Sequence, residues 1–302
     1  MTAIVPANDV QPLVQLVLDG LTSDNSRRAY GVALREYLDW HRATGQTRMD
    51  KATVQAYKAK LQADGLAPST INLKLSAVRK LAQEAADNGY MDQAIANGVG
   101  KVKGVKTAGT RAGNWLTQEQ AQKLLNTPDV STLKGLRDRA VLAVMLGCGL
   151  RRSEVAALAT EHVQQREGRW VIVDLVGKGQ RVRTVPMPAW TKAALDAWTQ
   201  AAGITDGLVF RATRKGGFLD GDSMTPQAIA DVVRLYSKQA GTPIAAHDVR
   251  RTFAKLAHKG SGRIDQIQLS LGHASIKTTE RYLGVTQDLQ DAPCDHLGLR
   301  LG

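Results

Sequence analysis

Apolar positions in the first third of the chain recur three and four residues apart, the spacing of helices that bury one face. PLVQLVLDGL is dense enough in apolar residues to begin a bundle. Tyr30, Ala33, Leu34, Tyr37 and Leu38 mark the buried stripe of a second helix, which opens near Asp24 to Ser26 and ends near Gly45. A shorter helix is predicted from about Thr53 to Ala63, stopped by Gly65. Pro68 suits the first turn of a fourth, with Ile71, Leu75, Val78 and Ala82 inward and Lys74, Arg79 and Lys80 mostly elsewhere. Residues 1–96 thus predict a small helical bundle.

The pattern dissolves over residues 97–114. NGVGKVKGVKTAGTRAGN holds five glycines and four cations with no acid, which reads as a basic flexible linker. Residues 115–302 mix element types. Thr117 and Gln120 have capping-box spacing ahead of Leu124 and Leu125, and a second helix is expected from about Leu136 to Leu146, closed by Gly147 and Gly149. HVQQ, RWVIVDLV and QRVRTVPM are strand-like runs, separated by turn signals at Glu167-Gly168 and Gly177-Lys178-Gly179. Further helices are expected from Pro188, from Thr225-Pro226, near His247 and after Ser275. The fold class is α+β: mainly α with a small antiparallel sheet, in two domains, as 302 residues favour.

Charge narrows the choice of partner. Lys plus Arg number 40 against 28 Asp plus Glu, a formal +12, which points to a partner with densely spaced negative charge such as nucleic acid. Two cysteines, Cys148 and Cys294, are too few for a disulfide framework and lack metal-ligand spacing. No signal-peptide pattern opens the chain and no run is long enough for a membrane span, so the expectation is a cytoplasmic, nucleoid-associated protein without a membrane role.

The chemistry gathers in the second half. HDVRR places His247 three residues before Arg250, LGHASIKTTERYLG places Tyr282 nine after His273, and GCGLRRSEV lies upstream. Such a set of acids or bases, fixed cations and a phenol suits attack on a phosphodiester by tyrosine. Tyr30, Tyr37 and Tyr236 sit on apolar stripes and read as core, whereas Tyr282 falls off the line that Ile276 and Leu283 mark as buried. The pattern GxxxxGK[ST] of a nucleotide-binding loop is absent.

GCGLRRSEV resembles the first catalytic box of the tyrosine recombinases, the lambda-integrase-like phage integrase family, giving Arg151 and Glu154. HDVRR resembles the second, giving His247 and Arg250; LGH supplies His273 and TTERYLG supplies Tyr282. GKGQRVRTVP looks like the family hairpin with a catalytic lysine, here Lys178, although Arg181 or Arg183 could also reach phosphate from that strand. The match covers Trp115 to Gly284, and the N-terminal bundle more loosely resembles the core-binding domain.

Two guanidiniums, Arg151 and Arg250, are expected to clamp the phosphate, with Arg152 a rival. Tyr282 is the expected nucleophile, His247 its proton acceptor or orienter, His273 a donor to a phosphate oxygen, and Lys178 the donor to the departing 5′ oxygen. Glu154 orients Arg151. The scheme uses neither metal nor other cofactor and leaves a 3′-phosphotyrosine. Lys74, Arg79, Lys80, Lys101, Lys103 and Lys106 are expected on DNA phosphates. The resemblance implies double-stranded DNA with inverted-repeat sites, a homotetramer on two duplexes and a Holliday junction. It also implies a C-terminal segment docking on a neighbour, for which Leu297, Leu299 and Leu301 are candidates; a frayed end is the other reading. Relaxation of the type IB topoisomerase kind, or DNA binding without catalysis, are the alternatives.

Overall fold

In the computed structural model, residues 10–106, 114–176, 182–214, 216–260, 262–273 and 275–283 are described, and the side chains of 281 and 282 lie outside that set. The chain divides into two units, Met1–Thr110 and Arg111–Gly302.

In the first unit, α1 (Val10–Asp19), α2 (Asp24–Ala43), α3 (Lys51–Ala63) and α5 (Gln93–Gly100) surround α4 (Pro68–Asp87). The inward stripe of α4 works on two sides. Ile71, Leu75, Val78 and Ala82 bury against Tyr37, Val54, Tyr57 and Leu61, while Ala77, Leu81 and Ala85 bury against Leu13, Val17, Ala33 and Leu34. Full burial of each large aliphatic contributes roughly 1.5–3 kcal/mol, so packing on α4 outweighs helix propensity. Asp50 caps α3 by accepting from the Thr53 amide at 2.9 Å.

The expected linker is corrected here. α5 runs through Gly100, making a fifth helix, and Val99 and Val102 are buried with Val105 packed beside them. Asn72 brackets Val105, donating to its carbonyl at 3.0 Å and accepting from its amide at 2.8 Å, and Lys58 donates to the Lys103 carbonyl at 2.9 Å. Glycines and lysines fill the gaps between three valines spaced three apart, and those valines anchor the segment. The rest of the stretch, 107–113, lies outside the described residues.

In the second unit, α6 (Gln118–Asn126) starts on the expected reciprocal capping box of Thr117 and Gln120. α7 (Leu133–Cys148) begins three residues before the expected start because the Thr132 hydroxyl accepts from the Gly135 amide at 3.0 Å. From Ala140 to Cys148 α7 is buried on all sides, forming the centre of the core with Leu124, Leu150, Ile172, Leu195 and Trp198. The short α8 (Arg152–Ala156) leads to a three-stranded antiparallel sheet of β1 (Val163–Arg166), β2 (Arg169–Val176) and β3 (Val182–Pro186), in the order β1-β2-β3. A register shift between Ile172 and Leu175 bulges β2 opposite β3, and Asp174 there has φ of 54°.

The remaining elements are α9 (Ala189–Ala202), a hairpin of β4 (Thr213–Arg214) and β5 (Phe218–Leu219), α10 (Pro226–Gln239), α11 (Ala246–Lys259), α12 (Ile264–Leu271) and α13 (Ile276–Leu283). The hairpin and α12 are not predicted from the sequence pattern: one has two-residue strands, and the other buries only Ile267 and Leu271. No described helix is long and apolar enough to cross a membrane.

Candidate active site

The site begins with a turn that only glycine can make. α7 ends at Gly149 with φ of 62°, and a Cβ there would lie 2.6 Å from Phe253 Cδ1. Two residues earlier, a Cβ on Gly147 would lie 2.1 Å from Thr191 Oγ1. This turn delivers Arg151 to the start of α8.

Glu154 organises the cations around it. It accepts from the Arg151 amide at 2.8 Å and from Arg151 Nη1 at 2.7 Å. Arg183, brought in by β3, adds a fork: Nη1 to Oε1 at 3.0 Å and Nη2 to Oε2 at 2.8 Å, with Nε donating to the Ser270 carbonyl at 2.9 Å. Burial alone would raise the Glu154 carboxyl, but hydrogen bonds and charge from Arg183 and Arg151 outweigh it and hold the group below its ordinary value. Arg183, left open as a phosphate contact by the sequence, is thereby corrected to a buried structural partner: its side chain is 8% exposed and that of Arg151 is 28%. The period-2 alternation of β3 signals an inward face, but names no partner for it.

Arg250 is buried. Its Nη1 donates to the Gly149 carbonyl at 2.5 Å and its Nη2 to the Leu271 carbonyl, so the fork expected to grip phosphate also staples the end of α7 to the end of α12. Those two carbonyls belong to helix ends that close on left-handed glycines, Gly149 and Gly272. A Cβ on Gly272 would lie 3.0 Å from Arg183 Cδ, which explains the glycine of LGH.

Both histidines are pushed toward the neutral form. Burial, then the charges of Arg250 and Arg251, pushes His247 below its usual value. Burial, then Arg250, Arg151, His247 and Arg183, pushes His273 down to about 4. Nδ1 of His273 lies 3.0 Å from the hydroxyl of Thr279, which is fully buried on α13. Arg151, Arg152, His247 and Arg250 line a cleft of about 810 Å³, whose other wall includes Gln227 and Asp231 of α10.

Tyr282 is in α13, whose backbone packs on α11 and α12, but its hydroxyl lies outside the described set. The buried stripe of α13 is Thr279 and Leu283, and Ile276, expected inward, is 43% exposed. A polar threonine holds the inward position because His273 hydrogen-bonds it. Lys178 and Arg181 lie outside the described residues, as do Leu297, Leu299 and Leu301.

The expected DNA-contacting cations divide into two groups. Lys74 pairs with Glu36, Lys80 with Glu84 at 3.1 Å, and Arg79 donates to the Val102 carbonyl, all three half-buried. Lys101, Lys103 and Lys106 are exposed.

A model of the phage integrase family matches residues 114–288, and one of the phage integrase N-terminal SAM-like domain matches 13–89. Tyrosine recombinase XerD of Ralstonia nicotianae is 29% identical over 279 residues, which is 89% of this chain and 86% of the relative. Tyrosine recombinase XerC of Pseudomonas aeruginosa is 31% identical over 239 residues, 78% of this chain and 74% of the relative. A structure of XerH site-specific recombinase bound to difH substrate superposes with a TM-score of 0.70 at 19% identity, covering 94% of this chain and 82% of that one. A lambda integrase dimer bound to a COC′ core site gives 0.69 at 15%, covering 91% and 75%. At such identities the structural likeness establishes the fold.

Proposed function

Since the chain belongs to the phage integrase family and is a tyrosine-type site-specific DNA recombinase, we propose that it cuts and rejoins duplex DNA through a 3′-phosphotyrosine on Tyr282. The observation that carries this reading is the meeting of Arg151, His247 and Arg250 in one cleft, with His273 in the field of the same arginines.

A phosphodiester repels a nucleophile and gains charge on its non-bridging oxygens during attack, so fixed cations at the cleft lower the barrier. Arg151, oriented by Glu154, offers its outward nitrogens to those oxygens, and Arg250 adds its charge from the wall. The Tyr282 oxygen bonds to phosphorus, its proton passes to His247, and the bond from phosphorus to the 5′ oxygen breaks. His273 donates to a non-bridging oxygen, and Lys178 protonates the departing oxygen. The energy of the broken bond is retained in the phosphotyrosine, and a 5′ hydroxyl from a partner strand reverses the step.

The +12 chain and its exposed Lys101, Lys103 and Lys106 suit a DNA duplex, and the proposal extends to inverted-repeat sites, a homotetramer on two duplexes, a Holliday junction and a cytoplasmic, nucleoid-associated setting. The structures of similar recombinases on DNA substrates support the DNA partner.

The test searches the DNA flanking the gene for short inverted repeats and uses a nicked duplex built on them. Denaturing gels are expected to show a protein-linked strand with the native chain and none with Tyr282→Phe. Relaxation of a supercoiled plasmid without strand exchange would favour a topoisomerase, and salt-sensitive binding with no adduct would leave a binding protein.

A further inference from the structure

We propose that the Thr279 hydroxyl donates to Nδ1 of His273, so that the imidazole keeps its proton on Nε2 and presents it toward the phosphate. Thr279 is then a positioning residue that ties the hydrogen-bonding state of His273 to the docking of the helix that carries Tyr282. The inference deepens the reading of His273 as a phosphate donor and rests on it.

The geometry is specific. Nδ1 and Oγ1 are 3.0 Å apart, and Thr279 is fully buried although it is polar. Thr279 precedes Tyr282 by three residues, less than one helical turn. The Leu283 side chain, one turn beyond Thr279, packs with Ala254, Ile267 and Leu271 and seats the same face of α13 on α11 and α12. Displacing α13 would therefore break the hydrogen bond to Nδ1.

A neutral imidazole has one donor and one acceptor nitrogen, and the bond made at one decides which the other is. His273 is in that neutral state. Among the described residues, the charged and titratable groups facing it include Arg250 and His247 from α11, Arg151 from the α8 start and Arg183 from β3, and all four disfavour an imidazolium. Its usefulness to an anionic phosphate therefore depends on which nitrogen carries the single proton. A hydroxyl that donates to Nδ1 selects the tautomer with a donor at Nε2. The same device makes the histidine responsive to the seating of α13: with α13 undocked, the hydrogen bond from Thr279 that selects this tautomer is lost.

Nitrogen-15 spectra of histidine-labelled full-length protein read the tautomer directly. The native chain at pH 7 is expected to show His273 protonated at Nε2, and Thr279→Val to show a mixture. Single-turnover cleavage of the nicked duplex is expected to fall by about tenfold or more in Thr279→Val and to recover in Thr279→Ser, with DNA affinity unchanged in both. A native His273 protonated at Nδ1, or a Thr279→Val protein that cleaves like the native chain, overturns the inference. If Thr279→Val does not fold, the native spectrum and Thr279→Ser still decide it. A native protein that forms no covalent adduct would instead sink the proposed recombination chemistry, and the tautomer would still be readable.

Discussion

Glu154 and Arg183, 29 residues apart in the chain, form a two-pronged ion pair with side chains 4% and 8% exposed. Arg151 joins the same carboxylate, so one acid fixes the strand β3, the start of α8 and the cleft cation together. Such a pair is balanced only while both partners remain, because each charge has given up its water.

Truncating the acid should therefore cost more than truncating a surface pair. Glu154→Ala is expected to lower unfolding free energy by about 3–5 kcal/mol in urea titrations, the range for breaking a buried pair. Surface Arg42→Ala, which removes the exposed pair with Asp39, should change it by about 1 kcal/mol or less.

The pH dependence has a definite sign at both kinds of group. The Glu154 carboxyl sits below its ordinary 4.5, so its stabilisation is complete above that value and is lost as pH falls through the lower folded value. His273 is lowered from 6.5 to about 4, so between those values the unfolded chain binds more protons and stability falls as pH drops. Thermal unfolding midpoints of the native chain should decline from pH 6.5 toward 4, and His273→Gln should decline less.

Gly149→Ala is expected to destabilise the second unit by about 2–5 kcal/mol, combining a left-handed backbone with a forced overlap. The overlap is with Phe253 on α11, one turn from Arg250, so cleavage should fall along with the unfolding midpoint. Gly168→Ala, also at positive φ but with open space around it, should lose only the backbone part.

Cations of the first unit should separate by role. Arg79→Ala removes the donor to the Val102 carbonyl and is expected to lower the unfolding midpoint. Lys101→Ala, Lys103→Ala and Lys106→Ala should leave that midpoint unchanged. Each is expected to reduce the slope of log affinity for DNA against log salt by about 0.9 for every phosphate that the missing ammonium would have neutralised.

Much of this was legible in order along the chain. Helical stripes such as Ile71, Leu75, Val78 and Ala82, the Thr117 and Gln120 cap, and three strand-like runs between turn signals all follow from local pattern and local hydrogen bonding, which neighbouring residues control. The candidate catalytic boxes are short-range patterns of the same kind: a glycine turn before Arg151, or His247 and Arg250 one turn apart. Residues 97–106 read as linker because composition averages over a segment, while three valines anchor it. α12 and the β4–β5 hairpin escaped because elements of eight and two residues hold too few periods to register.

What the sequence alone determined is therefore an inventory: most of the helices, the three-stranded sheet and the residues that carry charge, with a tyrosine, two histidines and two arginines as candidates for one kind of chemistry. What only the tertiary structure decided is how those groups are spent. That Arg183 serves Glu154, that Arg250 binds the carbonyls of Gly149 and Leu271, and that Thr279 meets His273 depend on the approach of separate elements. Hydrogen bonding and burial act through space at about 3 Å, and a pattern read along one strand or helix does not say which distant partner will occupy that distance.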